Sequence, residues 1–243
     1  MITTLKCARG ILTTKRKMKH YDSIPRIQDD GTLKGETVWG FNKLDGQNFC
    51  VTYNCRKKTW GPYGSRTVTV DENSEQFGPV VKWFNASNYP DILSGIVKAN
   101  SGKKQVFNGV DEVTFFFEWY GENSFAGKHQ EGDEMHLALI DVFLKKKGYM
   151  EPADYYSLFC LNDEIETPEL ICRGDLDAEI VSIIQENDWT QPDAELPTVK
   201  EGVVFKRSTL MKGQRRPSVK VKTKWWLDKL HSMYSEEECK KLE

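Results

Sequence analysis

Residues 37–53 read TVWGFNKLDGQNFCVTY, and the architecture of the chain follows from them. The runs 37–42 and 48–53 are rich in β-branched and aromatic residues, a composition typical of strands. Between them lies Asp45-Gly46, a common turn pair. The pattern predicts two neighbouring strands joined by a tight turn. Lys43 would then end the first strand, a position from which a scaffold can present a reactive side chain.

The same criteria predict further strands at 112–120, 136–144, 202–206 and 218–223. Helices are predicted at about 90–99, 153–161, 176–186 and 224–232, and a capping box of Ser235 and Glu238 indicates a last short helix. Strands and helices mix without regular alternation, so we expect an α+β fold with mainly antiparallel sheets flanked by helices. No repeat or linker marks a boundary. We therefore expect one domain over 1–243, with 224–243 as a short C-terminal helical appendage.

The composition is that of an ordinary soluble globular protein: 243 residues, 39% apolar and 29% charged. No apolar run approaches the roughly 18 residues that cross a membrane, and the basic start lacks the apolar region of a secretory signal. The six cysteines form no CxxC pair, which disfavours a zinc site and indicates reduced thiols. We therefore expect a cytoplasmic protein (in the host cytoplasm if viral) with no membrane partner.

Charge is distributed unevenly along the chain, although its net value is only −2. The segment 206–224 holds eight basic residues and no acid, whereas 163–195 holds eleven acids and one arginine. This asymmetry predicts one strongly positive side of the molecule, and apolar alternation within the basic segment predicts that part of it is strand. We interpret the acidic stretch as a solvated cover rather than a specificity insert.

Three further motifs carry charged side chains in apolar surroundings. Glu201 and Lys206 bracket a short buried strand, and Lys220-Val221-Lys222 places both lysines on one strand face. Glu118 lies inside the apolar run FFFEWYG at 115–121. A buried carboxylate is costly unless it is paired or holds a polar ligand, so we interpret Glu118 as functional.

In this order, the motifs resemble those of the covalent nucleotidyltransferase superfamily, which comprises ATP-dependent RNA ligases, DNA ligases and mRNA-capping guanylyltransferases. The resemblance covers about residues 36–226. Lys43-x-Asp45-Gly46 resembles the nucleophile motif I, and 118–121 resembles motif III in the form seen in RNA ligases. Segments 140–143, 201–206 and 220–222 are similar to motifs IIIa, IV and V. Glu122, in Tyr120-Gly121-Glu122, is an alternative motif III acid that echoes DNA ligases.

The resemblance implies a nucleotidyltransferase fold (the ATP-grasp-like ligase adenylation fold) and a role for each motif residue. Lys43 would carry AMP from ATP, and Lys220 and Lys222 would neutralise the phosphates as pyrophosphate leaves. Glu201 would bind Mg²⁺ or Mn²⁺. The remaining nucleotide contacts would come from Asp45, Gly46, Arg66, Glu118 at the ribose, Phe143 stacked on adenine, and Lys206.

The nucleophile must be a neutral amine, whereas a free lysine has a pKa near 10.4 and is almost wholly charged at neutral pH. We expect partial burial and neighbouring cations to lower the pKa of Lys43. The candidate cations are Lys206, Lys220, Lys222 and a bound metal ion.

Only 21 residues follow Lys222, too few for the closing OB-fold domain of DNA ligases and capping enzymes. The first interpretation is therefore an ATP-dependent RNA ligase that joins 5′-phosphate to 3′-hydroxyl ends, of the small phage or viral repair type. The alternatives are a minimal DNA ligase core, a guanylyltransferase, and a catalytically silent nucleic-acid-binding module. We expect a monomer that binds RNA ends or nicks, with DNA as a possible substrate. A polynucleotide kinase/phosphatase could act upstream.

Overall fold

A computed structural model describes residues 18–209 and 217–242. Its strands are β1 (Thr37–Asn42), β2 (Gln47–Asn54), β3 (Thr59–Ser65), β4 (Thr69–Val70), β5 (Glu112–Gly121), β6 (Met135–Leu144), β7 (Gly148–Tyr149), β8 (Leu170–Asp175), β9 (Gly202–Arg207) and β10 (Ser218–Lys222). Its α-helices are α1 (Gly78–Ala86), α2 (Tyr89–Ala99), α3 (Pro152–Tyr155), which continues as a π-helix over Tyr156–Cys160, α4 (Ala178–Glu186), α5 (Lys224–Met233) and α6 (Glu236–Leu242).

The strands form two antiparallel sheets. The four-stranded sheet has the order β10-β9-β1-β8, and the six-stranded sheet has the order β4-β3-β2-β5-β6-β7. Every strand pair within the two sheets is antiparallel. The predicted α+β fold with antiparallel sheets is therefore confirmed. The sheets are linked at the turn that follows Lys43, where β1 of one sheet gives way to β2 of the other.

One face of the six-stranded sheet carries the largest core. Its aromatic side chains, among them Phe49, Phe115 and Phe117, are fully buried against α1 and α2, where Phe84 and Leu93 are also fully buried. Burial of such side chains contributes about 1.5–3 kcal/mol each relative to exposure. The predicted strand at 112–120 forms because its aromatic residues fill this face on every second position.

A β-bulge interrupts the pairing of β5 with β6. Phe116 pairs with Asp141 and Phe117 pairs with Leu139, so Ile140 has no partner on β5. An extra residue of this kind bends the strand and re-aims the side chains beyond it. The bulge lies beside the pocket described below.

The predicted strands and helices are present, with ends shifted by a few residues at most. Five elements were not predicted: β3, β4, β7, β8 and α1. Among the described residues, no helix combines the length and apolar character needed to cross a membrane.

Candidate active site

Lys43 and Lys222 share one buried carboxylate. Glu201 Oε2 lies 2.7 Å from Lys43 Nζ, and Glu201 Oε1 lies 3.1 Å from Lys222 Nζ. The Glu201 side chain is 4% exposed and that of Lys43 is 23% exposed. The pairing follows from the topology, because Lys43 follows β1, Glu201 precedes β9 and Lys222 ends β10, and these strands are neighbours.

The pairs set the charge state of all three groups. Burial favours a protonated Glu201, but Lys43 and Lys222 outweigh it and hold the pKa of this carboxyl below its usual range. Burial opposes the charge on Lys43, but Glu201, Glu118 and Asp45 outweigh it and raise the pKa of Lys43 above its ordinary value. In this arrangement Lys43 is therefore an ammonium. The prediction of a lowered pKa for Lys43 is therefore wrong, because three carboxylates surround its ammonium.

Lys220 lies in the same pocket, but its pKa is lowered, whereas that of Lys43 is raised. Burial, together with the charges of Lys43 and Lys222, lowers the pKa of Lys220 to about 7. Burial and the charge of Lys43 lower the pKa of Lys222 to about 8, although Glu201 opposes this. A ligand with several negative charges would compensate the cations that the pocket concentrates here.

These lysines line a pocket of about 110 Å³ between the two sheets. The four-stranded sheet and its flanks contribute Phe41, Lys43, Glu201, Val204, Lys206, Lys220 and Lys222, and the six-stranded sheet contributes Glu118 and Ile140. Arg66, which follows β3, also lines the pocket, although its residue is exposed. Seven residues predicted from the sequence are thus brought together: Lys43, Arg66, Glu118, Glu201, Lys206, Lys220 and Lys222.

Glu118 faces the lysines from the opposite sheet. Burial raises the pKa of this carboxyl to about 7, an effect that Lys43 partly offsets. Its cross-strand neighbour Asn48 is buried, and Asn48 Oδ1 has no hydrogen-bond partner in the structure. Glu122 is exposed and does not line the pocket. The position of Glu118 therefore agrees with the choice of this residue over Glu122.

Asp45 and Gly46 position the turn rather than line the pocket. The Asp45 carboxylate accepts hydrogen bonds from the backbone N–H groups of Ala126 (2.8 Å) and Gly127 (2.9 Å) and from the indole N–H of Trp226 (2.7 Å). Gly46 passes so close to β5 that a Cβ atom would lie 2.4 Å from the Trp119 carbonyl oxygen. The two residues therefore hold the chain beyond Lys43 against two distant segments.

The expected adenine-stacking role of Phe143 does not fit its position. Phe143 lies outside the pocket of Lys43, in a separate groove with Lys19 and Lys145. Ile140, the unpaired residue of the bulge, lines the pocket instead. The bulge shifts the alternation of β6 by one residue, and simple alternation along the sequence cannot reveal such a shift.

Lys206 lines the pocket, but its ammonium is engaged in the wall. It lies 3.4 Å from Asp141 Oδ2 and donates to the Ile140 carbonyl oxygen at 2.5 Å. The side chain is 4% exposed, and its charge also lies 5.0 Å from the centre of the Phe41 ring. Lys206 therefore fixes the backbone at the bulge, and its position does not place it as a free phosphate-binding cation.

The predicted basic face over 206–224 divides into different environments. Lys206, Lys220 and Lys222 turn into the pocket, and Arg207 binds both oxygens of Glu36 at 3.0 Å. Lys212, Arg215 and Arg216 lie outside the described residues. Of the eight basic residues, only Lys224 is both described and exposed. The described part of this segment is thus mostly pocket lining rather than an outward positive surface.

Several pocket residues were missed by the sequence reasoning. Tyr21, Ser23 and Ile24 approach from the segment before β1, and Leu242 approaches from α6. The Leu242 carbonyl oxygen accepts a hydrogen bond from Lys222 Nζ at 3.3 Å. No local pattern marks these residues, since they reach the pocket only through the tertiary arrangement.

The donor set of the pocket bears on metal binding. The described residues contain no group of three or more His, Cys, Asp or Glu side chains that could hold a metal ion. Mg²⁺ is usually bound through one or two carboxylates together with waters and substrate phosphates, rather than by a cage of protein ligands. A pocket with Glu201 beside Lys43 and Lys222 fits an ion that arrives with a phosphorylated ligand.

The RNA ligase family model matches residues 36–222. No curated protein matches the chain. Among solved structures, the chain is similar to a Naegleria gruberi RNA ligase mutant in its apo form, with a TM-score of 0.59 and 20% identity. The similarity covers 88% of this chain and 58% of that one.

A mutant of the same ligase with AMP and Mn gives a TM-score of 0.59 at 19% identity, with the same coverage of the two chains. A mutant with ATP and Mn gives 0.56 at 18% identity, covering 86% of this chain and 58% of that one. At these identities the likeness shows the fold alone. The chain therefore shares its fold with these ligases and spans 58% of their length.

Proposed function

This chain belongs to the RNA ligase family, and we propose that it is an ATP-dependent RNA ligase that carries AMP on Lys43. One observation carries the proposal: Lys43 Nζ lies 2.7 Å from the buried Glu201, in a pocket that also holds Lys220, Lys222 and Glu118. A reactive amine, two further cations and a carboxylate on the opposite wall are the groups that lysine adenylylation needs.

The pocket offers a place for each part of ATP. Ile140 and Val204 come from different sheets and would supply apolar surface to the adenine. Glu118 is partly protonated near neutral pH, so its carboxyl can both donate to and accept from ribose hydroxyls. Lys220 and Lys222 would bind the phosphates, whose charge favours the protonated form of both lysines. Arg66 lies at the exposed side of the same pocket.

The proposed first step forms a bond between Lys43 Nζ and the α-phosphorus of ATP. The bond from that phosphorus to its bridging oxygen breaks, and pyrophosphate leaves with Lys220 and Lys222 beside its developing charge. Lys43 must lose a proton to solvent before it attacks, and release of Glu201 from Lys43 would favour that loss, because Glu201 raises the pKa of Lys43. The neutral amine is thereby generated inside the pocket.

Glu201 would hold the divalent ion, Mg²⁺ or Mn²⁺, together with phosphate oxygens of ATP. When bound, the ion supplies positive charge that neutralises those oxygens. Glu201 would then change partners, because both of its oxygens are bonded to lysines in this structure. The Naegleria gruberi ligase structures with ATP and Mn support this choice of ligands by likeness of fold.

In the later proposed steps, AMP passes from Lys43 to an RNA 5′-phosphate, and an RNA 3′-hydroxyl then displaces AMP to form the phosphodiester. We further propose a monomeric enzyme that acts in the cytoplasm. Its RNA ends would require prior conversion to 5′-phosphate and 3′-hydroxyl by a polynucleotide kinase/phosphatase.

The proposal is tested by incubating the protein with α-labelled ATP and Mg²⁺. The wild type is expected to retain label, whereas Lys43→Ala is expected to retain none. Lys98→Ala, which changes an exposed lysine in α2, is the matched control and should label like the wild type. Equal labelling of Lys43→Ala, or an unlabelled wild type, would show the proposal to be wrong.

Sealing assays separate the enzyme classes. The same preparation is given nicked RNA, single-stranded RNA ends and nicked DNA, and labelling with GTP is compared with ATP. Preferential sealing of RNA supports the proposal, whereas preferential sealing of nicked DNA would favour a minimal DNA ligase core. Labelling by GTP alone would indicate a guanylyltransferase.

A further inference from the structure

Three lysines on one surface each lie across an aromatic ring. Lys200 Nζ is 4.7 Å from the centre of the Trp189 ring, and Lys128 Nζ is 4.7 Å from that of Tyr234. Lys229 Nζ lies 5.1 Å from a ring centre of Trp225 and 4.3 Å from that of Phe125. We call Lys128, Lys200, Lys229, Trp189, Trp225 and Tyr234 the lysine–aromatic row.

The row is continuous and leads to the active site. Trp189 and Trp225 meet edge to face, with ring centres 5.4 Å apart, so the groups around Lys200 and Lys229 adjoin. Phe125, beneath Lys229, is the partner of Lys128 in an isolated β-bridge. At its other end the row reaches Lys200, the residue immediately before Glu201. A chain bound along the row would therefore approach the pocket of Lys43.

The three lysines are exposed, and in the described part of the chain none forms an ion pair with a carboxylate, in contrast to Lys240 with Glu236 and Lys241 with Glu237. Each ammonium instead rests on an aromatic face. Lys200 Nζ also donates to the Glu122 carbonyl oxygen at 3.4 Å, and hydrogen bonds from Ser235, together with the charge of Lys128, lower the pKa of Glu238.

The aromatic members are also open to a ligand. Trp189 and Trp225 are only half-buried, and Trp189 Nε1 is buried without a hydrogen-bond partner in the structure. The groove beside Trp225 is lined by Lys224 and Lys229 and also by three acids, Glu186, Asp188 and Asp228. A polyanion in this groove would contact its lysines rather than its acids.

We propose that the lysine–aromatic row binds the RNA strand that enters the active site. Bases stack on Trp225 and Trp189, and the lysines contact the adjacent phosphates, the combination by which proteins bind single-stranded nucleic acid. The identity of the polymer as RNA rests on the proposed function, whereas the surface is defined by its own contacts. The row also adds outward-facing cations to Lys224, the one exposed basic residue in the described part of segment 206–224.

Trp225→Ala tests the stacking. Binding of a fluorescently labelled, 5′-phosphorylated single-stranded RNA is expected to weaken about 5- to 150-fold, the range for loss of one base–aromatic contact. Trp225→Phe keeps an aromatic face and is expected to retain most of the affinity. Formation of lysyl-AMP from ATP should be unchanged in both variants, because Trp225 does not line the pocket. RNA affinity unchanged in Trp225→Ala would overturn the proposal, as would a parallel loss of lysyl-AMP formation.

Lys229→Ala tests the phosphate contacts. The slope of log affinity against log salt concentration is expected to become shallower by about 0.7, the value for one phosphate contact on a single strand. Lys98→Ala, an exposed helical lysine outside the row, should leave the slope unchanged. An unchanged slope in Lys229→Ala would overturn the phosphate-binding role. Failure of the wild type to form lysyl-AMP would refute the proposed function, whereas lysyl-AMP formation with full RNA binding by Trp225→Ala would refute only this inference.

Discussion

The carboxylate of Asp45 accepts a hydrogen bond from the indole N–H of Trp226 at 2.7 Å, although 181 positions of sequence separate the two residues. The bond ties the turn after Lys43 to α5, and the Trp226 ring also lies 3.4 Å from the ammonium of Lys222. One side chain thus contacts both the turn after Lys43, the proposed nucleophile, and Lys222, a lysine proposed to bind phosphate.

Trp226→Phe keeps a ring against Lys222 and removes the donor to Asp45. We expect the free energy of unfolding to fall by about 1–3 kcal/mol, because a buried carboxylate loses a partner. We also expect lysyl-AMP formation to slow. Urea denaturation and rapid-quench labelling measure the two effects. Trp225→Phe is the matched control, since the indole of Trp225 has no hydrogen bond to any residue within 18–209 or 217–242. Equal behaviour of the two variants would contradict the role of the bond.

Gly46→Ala should abolish lysyl-AMP formation, because the added Cβ would meet the backbone of Trp119 and Cβ of Tyr120 at 2.4 and 2.6 Å. The turn must then shift and carry Lys43 away from Glu201. Gly95→Ala is the matched control. Gly95 lies in α2 with nothing within 4 Å of its would-be Cβ, so the change should stabilise the protein by about 0.5–1 kcal/mol. Normal labelling by Gly46→Ala would refute the steric argument.

ATP binding should weaken as pH rises from 6 to 9. Lys220 has a pKa of about 7, so it is mostly charged below that pH and mostly neutral above it. Phosphates bind the charged form, so at pH 8 the binding of ATP takes up a proton. Calorimetry in two buffers of different ionisation heat measures this uptake. Lys220→Arg stays charged and should therefore reduce the proton uptake that accompanies ATP binding. If Lys220→Arg takes up as many protons as the wild type, the proton is bound by another group.

Ile140→Ala and Phe143→Ala form a matched pair from one strand. Ile140 lines the pocket and Phe143 does not, so only Ile140→Ala should raise the KM for ATP, by about tenfold for a lost apolar contact of about 1.4 kcal/mol. Initial rates of lysyl-AMP formation against ATP concentration provide the measurement. A larger increase of the KM for ATP in Phe143→Ala than in Ile140→Ala would indicate that Phe143 binds the adenine.

Much of the fold is readable in the sequence where one face of an element is fully apolar. β1 matches its predicted range, and β5 and β6 match to within one residue because each contains a long run of apolar residues that are buried. β3 was not predicted because it contains Gly61, Pro62 and Gly64, residues that are typical of turns. It forms a strand because it pairs with β2. β8 is similarly half-exposed and is held by β1.

The site was predictable to the extent that each motif ends at a strand terminus. Lys43, Glu201 and Lys222 converge because β1, β9 and β10 are neighbouring strands of one sheet. In the sequence, only the order of the motifs indicates that these strands are neighbours. Ile140 lines the pocket in place of the predicted Phe143, and this depends on a one-residue bulge in β6. The pairing of Lys206 with Asp141 depends on contact between two sheets, which no local pattern encodes.

The two bonds of Glu201 have a consequence for nucleotide exchange. Glu201 gives the pocket its own counter-anion, so under the proposed function the lysines that would bind phosphate are already assembled when ATP arrives. Binding would then replace one anion by another, and the carboxylate that competes with ATP is tethered at a high effective concentration. The free energy of ATP binding would therefore be smaller than the lysines alone would give. By the same exchange, the returning carboxylate would help to expel pyrophosphate once AMP has been joined to Lys43.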